Sequence, residues 1–506
     1  MNNPPRGSSA ASASSASDST PIRSRKAAKP AANRWLVLAI VALAQLTVVL
    51  DGTIVNIALP QAQVELGLSD SDRSWVVTLY ALTFGALLLL GGRIADFWGR
   101  KRSFLVGMGG FALASAIGGV AVSGEMLLLA RGLQGVFAAL LAPAALAILS
   151  VTFPGGKDRV KAFAVYGTIA GGGAAIGLLL GGILTEYLSW HWCLLVNVPI
   201  AVVAIAVGIP VLRESRADGN TRYDVPGALL VSAGLASVVY GFSRAEAGWG
   251  RVDTIGFLAL GVALLALFVL VEARADHPLL PLRIITNRAR AGAYLSSVAV
   301  GAALLGGLLY LTFHFQIVLG MSPLLSGVAS LPMTGAIIVM AAVVSRLLTT
   351  VGPRILMTAG PLIAAGGLLL LSRITVDGSY ALEILPAQIL LGIGLAFVFV
   401  PLQNVALLGI APRDAGVASA AVTATQQIGG SIGTAVFTAL YAGASAVDGV
   451  SPEGGAAAGL QALVDGYSAV FLAAAIVVAL AAPVAWFMID VGRKEFTTTN
   501  EAVHLG

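Results

Sequence analysis

From Trp35 onward the chain is a succession of apolar blocks, each about as long as a bilayer is thick, separated by short polar stretches. About 20 helical residues at 1.5 Å each cross a hydrocarbon core of about 30 Å. The blocks fall at 35–59, 74–92, 103–122, 126–149, 162–187, 193–212, 224–242, 253–272, 291–319, 324–348, 353–373, 382–409, 416–442 and 464–489, which predicts fourteen transmembrane helices. Only 11% of the 506 residues are charged and 57% are hydrophobic, whereas a soluble domain carries about 25% charge. Soluble-enzyme readings therefore drop out. Sixty glycines suit membrane helices that approach closely and bend. The pI near 9.4 reflects basic loops and not nucleic-acid binding. A lone cysteine, Cys193, excludes an internal disulfide framework and reads as a packing residue. The four histidines lack metal-ligand spacing, so neither a metal nor a cofactor is expected.

Charge placement tests the span count. Residues 1–33 are too poor in apolar side chains to fold and read as a disordered tail, with no cleavable signal before the first block. Residues 491–506 read as a second tail. With an even number of spans both ends share a side. Twenty-five of the thirty Lys and Arg then fall on that side, four (Arg73, Arg244, Arg251, Arg373) on the other, and Arg131 within a helix. Such a bias places both termini in the cytoplasm. A faint repeat joins Arg93–Lys101 to Arg346–Arg354, with six residues from Arg to Gly in both. It divides the chain into bundles at 34–215 and 276–490 with two inserted helices at 216–275, the repeat architecture of secondary transporters.

Asp51 closes the charge-free run Trp35–Leu50, whose polar side chains are Gln45 and Thr47. A charged side chain at the centre of a membrane helix costs roughly 2.5–3.5 kcal/mol and is a functional hypothesis by default. The plainer reading is an interface residue that caps the next helix. Asp51 lies about 24 Å along its helix and Arg131 five residues into a helix running the other way, so both are expected about 6–8 Å from the outer edge. An arginine at that depth needs a partner, and Asp51 is the nearest candidate; otherwise Arg131 snorkels to the surface. Burial favours the neutral acid and a guanidinium favours the carboxylate. Asp51 is therefore expected neutral in one state and ionised beside Arg131 in another, with the proton as driving ion.

Four stretches stand out: Asp51-Gly52-Thr53-Ile54-Val55-Asn56-Ile57-Ala58-Leu59-Pro60, Gly92–Arg102, Arg131-Gly132-Leu133-Gln134-Gly135 and Gly173–Gly182. Together they resemble the major facilitator superfamily, in its fourteen-helix drug:proton antiporter branch (EmrB/QacA type). The likeness runs from about Trp35 to Met488. It implies an all-α membrane protein with two six-helix bundles plus two inserted helices, exporting amphipathic small molecules by alternating access from a bacterial cytoplasmic membrane, as a monomer. The loop with Gly92, Arg93, Asp96, Gly99, Arg100 and Lys101 is similar to the family's latch between bundles, with Phe97 where a basic residue is usual. Gly173, Gly177, Gly181 and Gly182 match the antiporter glycines, with Leu178 in place of the motif proline; small residues at this spacing let helices touch backbone to backbone. Trp190-His191-Trp192 with Asn197-Val198-Pro199, Phe315–Leu324 and Gly416–Gly433 also look like the branch and read as packing and hinge positions with a few cavity polar groups.

A cavity between the bundles near mid-depth has candidate liners in Asn56, Tyr80, Phe84, Gln134, Tyr166, Tyr310, Phe313, Gln316, Phe397, Gln403 and Asn404, each with helix packing as its alternative. Aromatic and amide groups with few acids suit bulky amphipathic compounds; no acid lies between Leu324 and Leu348, which favours monocationic, neutral or zwitterionic ones. The competing readings are an exporter dedicated to one metabolite, a proton symporter and a non-transporting receptor. No G-x-x-x-x-G-K-[ST] loop points to an ATP-driven pump.

Overall fold

The computed structural model describes residues 33–154, 156–216, 224–245, 248–275, 278–279, 282–410, 415–445 and 455–491. The expected disordered tails, apart from Asn33 and Val491, lie outside them. All regular structure among the described residues is helical. In chain order the helices are α1 Arg34–Leu66, α2 Asp70–Trp98, α3 Arg100–Gly119, α4 Gly124–Thr152, α5 Gly156–Tyr187, α6 Trp192–Leu195, α7 Asn197–Val211, α8 Val225–Arg244, α9 Val252–Glu272, α10 Leu282–Ile285, α11 Arg288–Phe313, α12 Pro323–Ala329, α13 Leu331–Val351, α14 Pro353–Leu371, α15 Leu385–Leu407, α16 Ala415–Ser445, α17 Gly455–Ala479 and α18 Ala481–Met488. Among the described residues, eleven spans are long and apolar enough to cross a membrane, and α5, bent by 41°, makes a twelfth. That is fewer than the fourteen expected; α3 opens on three cations, and α3 and α16 are diluted by Gly, Ser and Thr.

Helix starts follow local chemistry. Ser69, Ser123, Asp224 and Asn287 each cap a helix by accepting a backbone N–H with the side chain, which satisfies donors that the first turn leaves free. The first block was expected to end at residue 59. Instead α1 carries Pro60 within it and stops at Gly67, in the left-handed region at φ 61°. Asp51 therefore lies about 22 Å from the end of α1 rather than near it. Arg131, seven residues past Gly124, is about 10 Å into α4. The pair sits deeper than the sequence suggested.

Two groups of helices pack internally: α1–α7 around the α2–α4, α3–α4 and α1–α5 contacts, and α11–α18 around α11–α16, α14–α15 and α13–α15. Helices α8 and α9 pair with each other, and α8 lies against both α2 and α16. Trp75 Nε1 donates to Ser243 Oγ at 2.9 Å. Leu235 and Val239 of α8 join Leu82 and Ala86 of α2 and Ala435 of α16 in one apolar cluster. The α8–α9 pair thus covers the seam between α2 and α16.

The weak sequence repeat has a structural counterpart. One glycine alone separates α2 from α3 and α13 from α14: Gly99 at φ 127° and Gly352 at φ 88°. Side chains rarely adopt that backbone region, so each reversal depends on glycine. Below, the α1–α2 face is the end carrying residues 67–69, and the α2–α3 face is the end carrying Gly99.

Candidate functional site

Asp51 and Arg131 meet deep in the first group. Both are about 1% exposed or less. Arg131 Nη1 donates to Asp51 Oδ2 at 2.6 Å. Asp51 Oδ1 accepts from Gln134 Nε2 at 2.7 Å and from Asn197 Nδ2 at 2.9 Å. Both amides also donate to Ser115 Oγ, at 2.8 and 3.3 Å. Arg131 spends Nε on the Val76 carbonyl at 2.9 Å and shares Nη1 with Gln134 Oε1. Its guanidinium carbon stands 4.4 Å from the centre of the Tyr80 ring, and the Tyr80 hydroxyl donates to Val48 O at 3.2 Å.

Helices α1, α2, α3, α4 and α7 therefore converge on one carboxylate. A buried charge is costly unless paired and hydrogen-bonded, and here both oxygens have donors.

Asn197, in a stretch read as packing and hinge positions with a few cavity polar groups, opens α7 with its amide on Asp51. Ser115 was missed from sequence: it sits among Ala and Gly and gave no signal. Gln134 and Tyr80 were expected on the cavity wall. Gln134 instead binds Asp51 directly, and Tyr80 lies beneath Arg131.

Gly173, Gly177 and Gly181 line one side of α5. A Cβ on Gly173 would meet Val49, one on Gly177 would collide with the Thr53 hydroxyl, and one on Gly181 would meet Ile54 at 3.0 Å. These contacts press α5 onto α1 beside Asp51. Gly182 differs: its Cβ would stand 2.7 Å from Leu324 Cα, on the second group.

The Gly92–Arg102 loop keeps most of its partners within the first group. Asp96, near the end of α2, pairs with Arg100, the first residue of α3, at 2.8 Å. The start of α3 is capped by Glu214, which accepts from Lys101 N and Arg102 N at 3.1 and 3.2 Å. Lys101 Nζ donates to Ile209 O. Gly92 lies against Pro143. Arg93 reaches Pro278 O, in the segment leading to the second group, at 2.8 Å. Glu214 was not anticipated; it sits far along the chain, and only the packing of α7 on α3 brings it there.

The other candidate liners scatter. Phe84 lies beside Tyr80, with ring centres 5.8 Å apart and the rings tilted by 39°. Tyr166 donates to Gln45 Oε1 at 2.6 Å. Asn56 donates to Gly52 O at 3.4 Å. Gln403 and Asn404 are exposed, and Phe397 packs toward Gly360 of α14. Tyr310 and Phe313 are wholly buried around Arg73. Gln316 donates to Ile57 O at 3.0 Å. The last three join the two groups at the α1–α2 face, together with Leu324 N, which donates to Glu186 at 2.9 Å, and Ser431, which donates to Thr78 O.

Membrane-length helices packed around a buried, hydrogen-bonded ion pair fit a membrane transporter of small molecules. The chain belongs to the Major Facilitator Superfamily, whose family model matches residues 41–434. It is 45% identical to the puromycin resistance protein pur8 of Streptomyces alboniger over 490 residues, covering 95% of this chain and 96% of that protein. It is 37% identical to the tetracenomycin C resistance and export protein of Streptomyces glaucescens over 428 residues, covering 84% and 79%. Among solved structures it is similar to a bacterial homologue of the human lysosomal transporter Spinster, described as inward-facing and occupied. That likeness has a TM-score of 0.66 at 16% identity, over 92% of this chain and 99% of the other, and concerns the fold.

Proposed function

We propose that the protein exports antibiotic-like amphipathic molecules across the bacterial cytoplasmic membrane in exchange for protons, as a member of the fourteen-helix drug:proton antiporter branch. The observation that carries this reading is the buried Asp51–Arg131 pair, with Gln134, Asn197 and Ser115 around it. The relatives' resistance and export roles give it a substrate class. In this reading α3 and α16 also span the membrane. Their 20 and 31 residues are about 30 Å or more of helix, and with them the count is fourteen. The bundles are 34–215 and 276–490, with the inserted pair at 216–275. Both termini are cytoplasmic, and the α1–α2 face is external. The protein is then closed outside and acts as a monomer, with no cofactor and the proton as driving ion. One charge crossing 100 mV is worth about 2.3 kcal/mol, enough to drive accumulation.

Asp51→Asn should abolish export, measured as drug efflux from cells at matched expression, and should abolish drug-induced proton release from purified protein. Undiminished export by that variant would refute the coupling. A second reading, an exporter dedicated to one compound, is favoured by relatives whose names carry single compounds. Tolerance conferred across unrelated drugs would separate the two.

A further inference from the structure

Arg73 stands in the first turn of α2 and is 2% exposed. The α1–α2 turn supplies its polar partners. Asp70 pairs with it at 2.9 Å, and Gln63 Oε1 accepts from its Nη1 at 3.3 Å. Gln63 Nε2 in turn donates to Asp70 Oδ1 at 2.9 Å. The rest of the guanidinium enters the second group. Its carbon lies 4.1 Å from the centre of the Phe313 ring, 5.3 Å from Tyr441 and 5.8 Å from Tyr310. Tyr467 of α17 stacks on Tyr441 at 5.6 Å and closes the back of this cage.

The enclosure is polar only in part. Nε and Nη2 of Arg73 are buried without a hydrogen-bond partner, as is the Tyr467 hydroxyl. Aromatic faces attract a desolvated guanidinium but do not accept its N–H groups as water does. The cation thus gains ring contacts when the groups close and regains hydration when they part. Asp70 and Gln63 belong to the same side as Arg73 and can stay with it throughout. Two arrangements of one side chain, each compensated differently, make a two-state element.

We propose that Arg73 is the bolt of the gate at the α1–α2 face: seated among Phe313, Tyr441 and Tyr310 it holds the two groups shut there, and it leaves the cage when that face opens. The proposal rests on the alternating-access reading above. The other bonds named across this face are Gln316 to Ile57 O, Ser431 to Thr78 O and Leu324 N to the exposed Glu186 carboxylate, and water can replace each. Arg73 is the cation buried across the junction, so its removal shifts the balance between states.

The test uses the full chain in lipid nanodiscs, with Cys193→Ser and spin labels at Val64→Cys and Leu382→Cys. Both positions are exposed ends on this face, one in each group. Pulsed electron–electron distances should give a dominant short and a minor long population. Arg73→Gln should raise the odds of the long population about tenfold, which corresponds to about 1.4 kcal/mol. Phe313→Leu, which keeps the charge and removes the nearest ring, should move them the same way; Arg73→Lys should stay near the parent. Unchanged odds in Arg73→Gln and Phe313→Leu, with two populations in the parent, would overturn the bolt alone. A single unchanging distance in the parent would overturn alternating access and the bolt with it.

Discussion

The first helical group holds two buried arginines, and they are paid for differently. Arg131 has every strong partner inside its own group: Asp51, Gln134 and the Val76 carbonyl, with the Tyr80 ring alongside. Arg73 has its carboxylate at home, but its ring contacts belong to the other group. Rigid rocking of one group against the other leaves the first network intact and dismantles the second. In the proposed function, the internal network is the one that couples to the proton. A network that crosses a junction suits a site that changes by moving.

The largest expected effect breaks that comparison at Arg131. Arg131→Gln strands a buried carboxylate, which typically costs about 3–5 kcal/mol. Thermal unfolding in detergent should fall sharply, whereas Arg73→Gln, whose partner Asp70 is 42% exposed, should fall much less. Adding Asp51→Asn to Arg131→Gln should restore part of the loss; equal losses in the two single variants would erase the distinction. A middle-sized effect sharpens it with glycines. Gly177→Val drives into Thr53 within the group and should lower thermal stability by about 1–3 kcal/mol. Gly182→Val presses on the Leu324 backbone across the junction and should instead lengthen the Val64–Leu382 distance. The smallest effect is at the α2–α3 face. Glu214→Gln removes the charge that caps α3, worth about 0.3–1 kcal/mol, and should shift the melting temperature slightly with export unchanged.

Much of the helical layout was legible because membrane length and charge are properties of consecutive residues. Asp51 and Arg131 could be paired on depth alone, although the depth itself was off: α1 continues through Pro60, where the apolar pattern suggested an end. Proline costs a helix its hydrogen bond but does not always end it. Ser115 and Glu214 escaped because nothing local distinguishes them, and Asn197 stood out only as part of a motif without a partner; each matters through a helix distant in the chain. Tyr310 and Phe313 were placed in a central cavity because aromatic side chains near mid-chain fit either role.

By itself the sequence determined that this chain is helical and built for lipid, since a backbone in hydrocarbon must satisfy its own hydrogen bonds and a membrane's thickness sets helix length. It also made Asp51 the nearest candidate partner for Arg131, because an arginine at that depth needs one, while leaving snorkelling open. Which amides clasp the acid, which arginine crosses the junction and which glycine faces its own group or the other were decided only by tertiary structure. Those choices depend on how helices far apart in the chain are rotated and stacked, and the pattern along any one of them does not contain that information.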